Sequence, residues 1–135
     1  VSAAALAVAK RNATRLGLRN LRFLEGSWFD PLPGSRFDVI ASNPPYVATG
    51  DPALAALGHE PRAALLGGTG GLAAIEAIVC AAPSHLEPGG WLVIEHGAAQ
   101  GAAVRALFAA TGLAAVATRR DLAGHERVTE GTLPR

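Results

Sequence analysis

The chain has 135 residues, half of them hydrophobic, and its 12 basic and 11 acidic residues leave a formal net charge of +1. This length supports a single hydrophobic core, and the near balance of charge gives no electrostatic basis for sequence-independent binding to nucleic acid. The only cysteine, Cys80, leaves no disulfide framework or thiolate metal cluster, and its apolar neighbours predict a buried side chain. No apolar run is long enough to span a membrane, so we expect a soluble, cytoplasmic protein.

The chain begins in a helical pattern. Ser2 is a favourable N-cap residue, and Ala3 to Leu16 carry strong helix formers with apolar residues at helical spacing. Gly17 then predicts the end of the helix. Because the sequence contains no methionine and starts directly in this helix, we expect a fragment whose N-terminus lies upstream.

Beyond this helix, predicted strands and helices alternate. The predicted strands are Leu21–Glu25, Phe37–Ser42 (expected to be buried), Trp91–Glu95, Ala114–Arg119 and Arg127–Leu133. The predicted helices are Gly71–His85, which is followed by a Pro88–Gly90 turn, and Ala98–Thr111. This order is typical of an open α/β sheet with helices on both faces. The last two strands lack an intervening helix and are therefore predicted to be antiparallel neighbours.

Unusual residues follow the ends of the predicted strands. Ser27 and Trp28 come after the first strand, Asn43-Pro44-Pro45-Tyr46 after the second, and Glu95-His96-Gly97 after the third. Ligands of open α/β sheets bind at the carboxyl ends of the strands. The sequence therefore predicts a functional site at this edge of the sheet.

The segment Asn43-Pro44-Pro45-Tyr46 combines groups that can hold a planar nitrogen. The asparagine side chain offers a carbonyl acceptor, and the Pro-Pro pair has no backbone N–H, which leaves its carbonyls free to accept. Asn43 Oδ1 and the Pro44 carbonyl can together accept both hydrogens of an NH₂ group while Tyr46 stacks on its plane. The alternative is that these residues form only a turn, but their position at a strand end favours a site.

The segment Ser42 to Tyr46 resembles the (D/N/S)PPY motif of S-adenosylmethionine-dependent methyltransferases that act on planar nitrogens. Nearly the whole chain is similar to the release factor glutamine methyltransferase (HemK/PrmC) family. The matching stretches are Ala9–Ala13, Trp28-Phe29, Ser42–Val47, His59-Glu60-Pro61, Gly68–Leu72, Gly89–Leu92, Glu95-His96-Gly97 and Asp121–Val128. The last two stretches are the most specific to this family.

The resemblance implies a three-layer, Rossmann-like class I methyltransferase sheet with an antiparallel C-terminal hairpin. The first strands, the glycine-rich cofactor loop and the N-terminal helical domain of the family are missing, so residues 1–135 are expected to form a partial catalytic domain. The family transfers methyl from S-adenosylmethionine to the side-chain nitrogen of the glutamine in the Gly-Gly-Gln motif of peptide chain release factors. The isolated chain is expected to bind this cofactor weakly and to be inactive.

The resemblance also assigns residues, with no metal ligand among them. Asn43, Pro44 and Tyr46 are the expected catalytic residues, and with Pro45 and Glu60 they line the glutamine site. Trp28, Ser27 and Asn43 are expected to contact the cofactor, although the family commonly has aspartate at the position of Ser27. Glu95 matches a family position without an assigned role. A monomer is expected, with release factors as partners.

Two other functions stay open from the sequence. An adenine-amino methyltransferase of nucleic acids shares the Asn-Pro-Pro-Tyr motif, and a fold remnant could serve only as an interaction module. Gly68–Ala73 formally fits a dinucleotide-binding pattern, but a long irregular segment precedes it, and Glu87 falls after the helix, just before Pro88-Gly89-Gly90. A plain junction between loop and helix is therefore predicted there. His59, His96 and His125 are expected to serve in loops or hydrogen bonds rather than in catalysis.

Overall fold

A computed structural model of the chain describes residues 2–52, 54, 59 and 61–135. The chain divides into two compact units, Val1–Pro33 and Gly34–Arg135. In the first unit, helix α1 spans Ala3–Arg15, and the hydroxyl of its N-cap residue Ser2 accepts a hydrogen bond of 3.2 Å from the Ala5 amide. Gly17 follows the helix at φ +68°, in the left-handed region that glycine enters at little cost. The predicted first helix and its end are confirmed.

The predicted strand Leu21–Glu25 is wrong. These residues form neither helix nor strand, and none of the residues in the described ranges forms a ladder with them. An extended segment becomes a strand only when its backbone pairs with a neighbour, and its apolar pattern alone cannot supply that partner. Bends and turns follow at residues 26–31. Gly26 is packed so closely within them that an added Cβ would lie 2.7 Å from Cδ of Pro31.

The second unit is built on a sheet of four strands in the order β1-β2-β4-β3. The strands are β1 Phe37–Ser42, β2 Leu86–Glu95, β3 Ala114–Arg120 and β4 Glu126–Thr132. Strands β1 and β2 are parallel, whereas β4 is antiparallel to both β2 and β3. The predicted C-terminal hairpin is confirmed, and its second strand lies between β2 and β3.

Two helices, α2 at Ala73–His85 and α3 at Gly101–Ala110, pack against each other and on the sheet. The core of this unit is formed by their apolar residues, by one face of β2 and by Leu113, which lies between α3 and β3: Ile75, Ile78, Val79, Ala82, Leu86, Leu92, Ile94, Val104, Phe108 and Leu113. Within the second unit, these helices cover the face that carries the buried residues of β2. A covered second face, and thus a third layer, remains an expectation from the resemblance. Cys80 is exposed on α2, so its predicted burial is wrong: the buried stripe of that helix lies on its other side.

The opposite face of the sheet is open to solvent in the second unit. Val39 in β1 is 58% exposed and Trp91 in β2 is 39% exposed. Strand β1 pairs only with β2 among the described residues and is therefore an edge strand. The prediction that β1 is buried is wrong for this reason, because an apolar sequence shows what a strand can bury and not whether it has a neighbour on each side.

Two predicted boundaries also shift. Strand β2 begins at Leu86, directly after α2, and includes the predicted Pro88–Gly90 turn. The ladder with β1 is irregular at this point, between Phe37 and Val39, and such an irregularity accommodates proline and glycine within a strand. Helix α3 begins three residues later than predicted because a turn, closed by a hydrogen bond of 2.9 Å from the Gln100 amide to the Gly97 carbonyl, comes first.

Among the residues that the structure describes, no helix has the length and apolar character needed to cross a bilayer. In those same ranges, histidine, cysteine and acidic side chains do not assemble into a group that could hold a metal ion.

Candidate functional site

The parallel pairing of β1 and β2 brings two predicted functional segments to the same edge of the sheet. Ser42 is in register with Ile94, so the residues that follow, Asn43 and Glu95, leave neighbouring strands at the same level. On the other side of β2, Glu95 is in register with Val128 of β4. A surface cleft of about 310 Å³ opens at this edge, and it is lined by Ala41, Ser42, Asn43, Val93, Glu95 and Val128.

Asn43 is exposed at this cleft, whereas Pro44 is buried. Among the described residues, none forms a hydrogen bond with the Asn43 side chain, and no described backbone amide donates to the Pro44 carbonyl. Both oxygens are thus acceptors to which no described residue donates a hydrogen bond. Pro44 itself is not among the residues that line the cleft.

Tyr46 is connected to the end of β2 through its hydroxyl. The Tyr46 hydroxyl donates a hydrogen bond of 3.2 Å to Oε1 of Glu95. Burial raises the pKa of Tyr46, and the negative charge of Glu95 and the hydrogen bond to it raise it further, while Arg127 acts in the opposite direction. Tyr46 is therefore a neutral hydrogen-bond donor at physiological pH. This pair was not anticipated from the sequence, where Glu95 had no assigned role.

A second cleft, of about 410 Å³, lies on the Tyr46 side of this hydrogen bond. Its walls include Tyr46, Asp51, Gly70, Gln100 and Arg127. Asn43 and Glu95 line the first cleft and Tyr46 lines the second, so the Tyr46–Glu95 hydrogen bond joins the two.

The chain beyond Tyr46 is braced by the glycine-rich segment at 67–71. The amide of Val47 donates to the carbonyl of Leu65, and the amide of Gly67 donates to the carbonyl of Val47, each at 2.9 Å. A Cβ added at Gly67 would lie 2.6 Å from the Pro45 carbonyl oxygen, and one added at Gly71 would collide with the carbonyl oxygen of Tyr46. Only glycine permits this close backbone approach.

The predicted junction between loop and helix at Gly68–Ala73 is confirmed. A short 3-10 turn at Thr69–Gly71 leads into α2 at Ala73. The glycines bring this segment against the backbone of Pro45 and Tyr46, which explains why the segment is rich in glycine without any appeal to a bound nucleotide.

Arg127 is the site residue that sequence reasoning missed. It lines the second cleft, and its Nε donates a hydrogen bond of 3.2 Å to Oδ2 of Asp121. The Asp121 carboxylate also accepts hydrogen bonds of 2.9 Å from the amides of Ala123 and His125. The bond from His125 lowers the pKa of Asp121 most, and Arg127 lowers it further. The Asp121–Val128 motif was recognised as a pattern, but only the hairpin fold shows that it directs Arg127 towards Tyr46.

A chain of hydrogen bonds runs behind the site through fully buried His96. Its Nε2 lies 2.9 Å from Thr129 Oγ1, which lies 2.9 Å from Thr118 Oγ1. Nδ1 lies 2.9 Å from the Gly97 carbonyl, and because a carbonyl only accepts, Nδ1 donates this hydrogen bond. His96 therefore has a structural hydrogen-bonding role, as predicted. The chain ends at Arg105, which donates to Thr118 and to Glu126 at 2.9 Å each.

The remaining predicted site residues lie elsewhere in the chain. Ser27 and Trp28 belong to the first unit, where Trp28 is 44% exposed and has a left-handed backbone at φ 44°. Their predicted contact with a cofactor stays a prediction. Glu60 lies outside the described residues, so its predicted place in the glutamine site also stays a prediction.

Comparison with known proteins identifies close relatives. The chain is 53% identical over 135 residues to the release factor glutamine methyltransferase of Xylella fastidiosa strain Temecula1 and 49% identical over 129 residues to that of Pseudomonas aeruginosa. These alignments cover 98% and 94% of this chain but 49% and 47% of the relatives, so the chain spans about half the length of the curated relatives it matches. No protein-family model matches the chain. The predicted resemblance to these methyltransferases is confirmed.

Solved structures agree on the fold. A methyltransferase from Pyrococcus furiosus matches all of this chain and 60% of its own, with a TM-score of 0.66 at 19% identity. The Mtq2–Trm112 complex of E. cuniculi, described as responsible for methylation of the termination factor eRF1, matches 90% of this chain and 68% of its own, with a TM-score of 0.56 at 22% identity. The fold is that of a Rossmann-like class I methyltransferase, as predicted.

Proposed function

We propose that this chain, which is similar over nearly its whole length to release factor glutamine methyltransferases, supplies the acceptor side of the active site in an enzyme of that activity. The reaction would transfer a methyl group from S-adenosylmethionine to the side-chain amide nitrogen of the glutamine in the Gly-Gly-Gln motif of a peptide chain release factor. The supporting observation is that Asn43, Tyr46 and Glu95 lie at the same edge of the sheet. The chain that carries them is about half identical to a release factor glutamine methyltransferase.

The geometry is suited to an amide substrate. A primary amide presents two N–H groups in one plane, and Asn43 Oδ1 and the Pro44 carbonyl are acceptors without described partners. The amide nitrogen is a weak nucleophile because its lone pair is delocalised into the carbonyl. Hydrogen bonds from both N–H groups to these acceptors return electron density to the nitrogen and orient it for attack.

Tyr46 would then fix the plane of the bound amide by stacking. Its ring is held through the hydroxyl by Glu95, and burial next to Glu95 keeps that hydroxyl protonated because it raises the Tyr46 pKa. The Tyr46–Glu95 pair therefore acts through position, and no strong general base is required before the methyl group is transferred. When the methyl group is transferred, the sulfonium would become a neutral thioether, and the positively charged nitrogen would then lose its proton to water.

The residues present fit the methyl-donor end of S-adenosylmethionine. The cleft of about 310 Å³ at the ends of β1 and β2 has two polar side chains, Ser42 and Asn43, without a partner among the described residues, and a small residue at Ala41. When bound, the cofactor would supply an activated sulfonium methyl group. We propose that Asn43 contacts it here and that Trp28 and Ser27 contact its adenine. The glycine-rich cofactor loop that the family carries is not found in these residues, and we propose that residues 1–135 form part of a larger catalytic domain.

We further propose that the enzyme acts in the cytoplasm, because release factors act on ribosomes. We also propose that it acts as a monomer. Nucleic acid is not proposed as a substrate, since a net charge of +1 offers little attraction for phosphate.

Incubation of the full-length protein with labelled S-adenosylmethionine and either a release factor or duplex DNA tests this proposal. Label should appear on the release factor and should vanish when the glutamine of its Gly-Gly-Gln motif is replaced. Label on DNA alone would support the adenine-amino methyltransferase instead. No label on either, with a full-length protein that binds the cofactor, would support an interaction module.

A further inference from the structure

One side chain, Gln100, connects three segments of the site. It lies immediately before α3 and is half-buried. Its Oε1 accepts a hydrogen bond of 2.8 Å from the Gly97 amide. Its Nε2 donates to the carbonyl oxygens of Tyr46 at 3.1 Å and of Gly70 at 3.2 Å. The acceptor and both hydrogens of a single amide group are thus occupied by the end of β2, the Asn-Pro-Pro-Tyr segment and the glycine-rich segment.

Tyr46 is thereby fixed at two points. Its hydroxyl is held by Glu95 and its backbone carbonyl by Gln100. Gln100 is in turn held by Gly97, two residues after Glu95. The same few residues at the end of β2 therefore control both the tip of the Tyr46 ring and the backbone from which the ring projects.

The glycines around Gln100 leave little room for adjustment. A Cβ at Gly97 would lie 3.0 Å from Oε1 of Gln100, and a Cβ at Gly71 would lie 2.7 Å from its Nε2. The amide group is enclosed by backbone on both sides, so a side chain of another shape or hydrogen-bonding pattern cannot replace it without moving the Tyr46 segment.

We propose that Gln100 is a positioning residue for methyl transfer, which sets the location of Tyr46 relative to Glu95 and so the plane in which the acceptor amide is held. This inference rests on the proposed function. In this proposal Gln100 acts through its hydrogen bonds to the backbone of Gly97, Tyr46 and Gly70. Because a misplacement of about 1 Å at a reacting group can cost on the order of 100-fold in rate, loss of this tie is expected to reduce the rate of transfer more than it reduces binding.

Two variants of the full-length protein separate the roles of the amide. Gln100→Met keeps the approximate size and loses every hydrogen bond. Gln100→Glu keeps an acceptor for the Gly97 amide but has no hydrogen to donate, and it places a carboxylate against the carbonyls of Tyr46 and Gly70. Arg105→Met is the matched control, because it removes hydrogen bonds of the following helix to Thr118 and Glu126 and touches neither loop.

Steady-state kinetics with a release factor should show kcat reduced by about 10- to 100-fold in both Gln100 variants, with KM for S-adenosylmethionine within about twofold of wild type. Arg105→Met should lower the melting temperature while leaving kcat unchanged. A kcat of the folded Gln100→Met enzyme equal to that of wild type, with only a lower melting temperature, would overturn the proposal and reduce Gln100 to a stabilising role.

Hydrogen–deuterium exchange provides a readout that does not depend on activity. Amides in residues 46–49 and 65–71 should exchange faster in Gln100→Met than in Arg105→Met, because the first variant alone releases the two loops from Gly97. If the wild-type enzyme transfers no methyl group, the proposed function fails. The exchange data would still show whether Gln100 holds the segments at 46–49 and 65–71 in place. Equal exchange in the two variants would overturn it.

Discussion

The Tyr46 hydroxyl lies 3.2 Å from Oε1 of Glu95 and joins the segment after β1 to the end of β2. These residues are 49 positions apart in the sequence, and the parallel pairing of the two strands is what brings them together. The hydrogen bond fixes the ring that we propose stacks on the acceptor amide.

Replacement of the Tyr46 hydroxyl should affect rate more than it affects the fold. Tyr46→Phe keeps the aromatic face and removes the hydrogen bond to Glu95. A hydrogen bond of this kind contributes a net free energy of about 1 kcal/mol in a partly exposed pair. We expect Tyr46→Phe to reduce kcat for release-factor methylation by about fivefold. Tyr46→Ala should reduce kcat much further, because it also removes the ring. Glu95→Gln retains an acceptor for the hydroxyl and is the control. A Tyr46→Phe enzyme with the kcat of wild type would show that the pair has no role in transfer.

The ionisation of Tyr46 can be observed directly, because it is the only tyrosine of the 135-residue chain. Burial and Glu95 raise its pKa above the ordinary value of 10.0. The folded state thus holds this proton more tightly than the unfolded chain. The resulting stabilisation is complete below pH 10 and is lost as the pH rises through the raised pKa.

Ultraviolet titration of tyrosinate in the chain should therefore give a midpoint above that of a free tyrosine. Glu95→Gln should lower the midpoint, because it removes the negative charge. A midpoint at the ordinary value in the folded wild-type chain would contradict the hydrogen bond and the burial of the ring.

The contrast between two glycines tests how closely the glycine-rich segment approaches the site. Gly70 and Gly71 have φ of +74° and +72°, so alanine is strained by about 1 kcal/mol or more at either position. The two positions differ in the room around an added Cβ. It meets nothing within 4 Å at Gly70 but collides with the Tyr46 carbonyl oxygen at Gly71.

We therefore expect Gly70→Ala to lower the melting temperature slightly and to retain activity. Gly71→Ala should lose most of its methyl transfer, because the Tyr46 segment must move. Equal activity of the two variants, measured at a temperature where both are folded, would show that the close approach does not matter for the reaction.

The sequence was sufficient for the order of helices and strands in the second unit and for the position of Asn43 and Tyr46 after β1, while the roles of these two residues stay predictions. Strands β3 and β4 could be predicted as a hairpin because no helix separates them, and the Pro-Pro corner marks the end of β1 by its own stereochemistry. The strand at Leu21–Glu25 failed because strand formation depends on a partner, and the burial of β1 failed because that strand has a single described neighbour.

The roles of Glu95, Arg127 and Gln100 could not be predicted for a related reason. Glu95 and Gln100 form hydrogen bonds with Tyr46, which is distant in sequence, and the charge of Arg127 acts on the same tyrosine. A local pattern shows which groups are present, whereas the sheet register and the hairpin decide which of them meet. Gln100 gives the clearest case, because glutamine before a helix has no distinctive sequence signature.

The hairpin that carries Arg127 should weaken in acid. The Asp121 carboxylate has a pKa below its ordinary value of 3.8, chiefly through the His125 amide and also through Arg127. A carboxylate with a lowered pKa stabilises the folded state above its ordinary pKa, and that stabilisation is lost as the pH falls through the lowered value.

Asp121→Asn keeps an oxygen for the amides of Ala123 and His125 but loses the charge that faces Arg127. Thermal melts should place this variant below wild type at neutral pH, and the difference should shrink at pH values below about 4. A difference that stays constant down to the acid range would show that the charge of Asp121 contributes nothing to the hairpin.

The most direct test of the central claim is mass spectrometry of the release-factor peptide that contains the Gly-Gly-Gln motif, after incubation with S-adenosylmethionine and the full-length protein. With the wild-type enzyme we expect one added methyl group on the glutamine side chain. We expect at least a 100-fold slower addition, on the order expected for a lost orienting group, with a folded Asn43→Ala variant that still binds the cofactor. An unmodified glutamine with an active wild-type enzyme, or equal rates for wild type and Asn43→Ala, would contradict the claim.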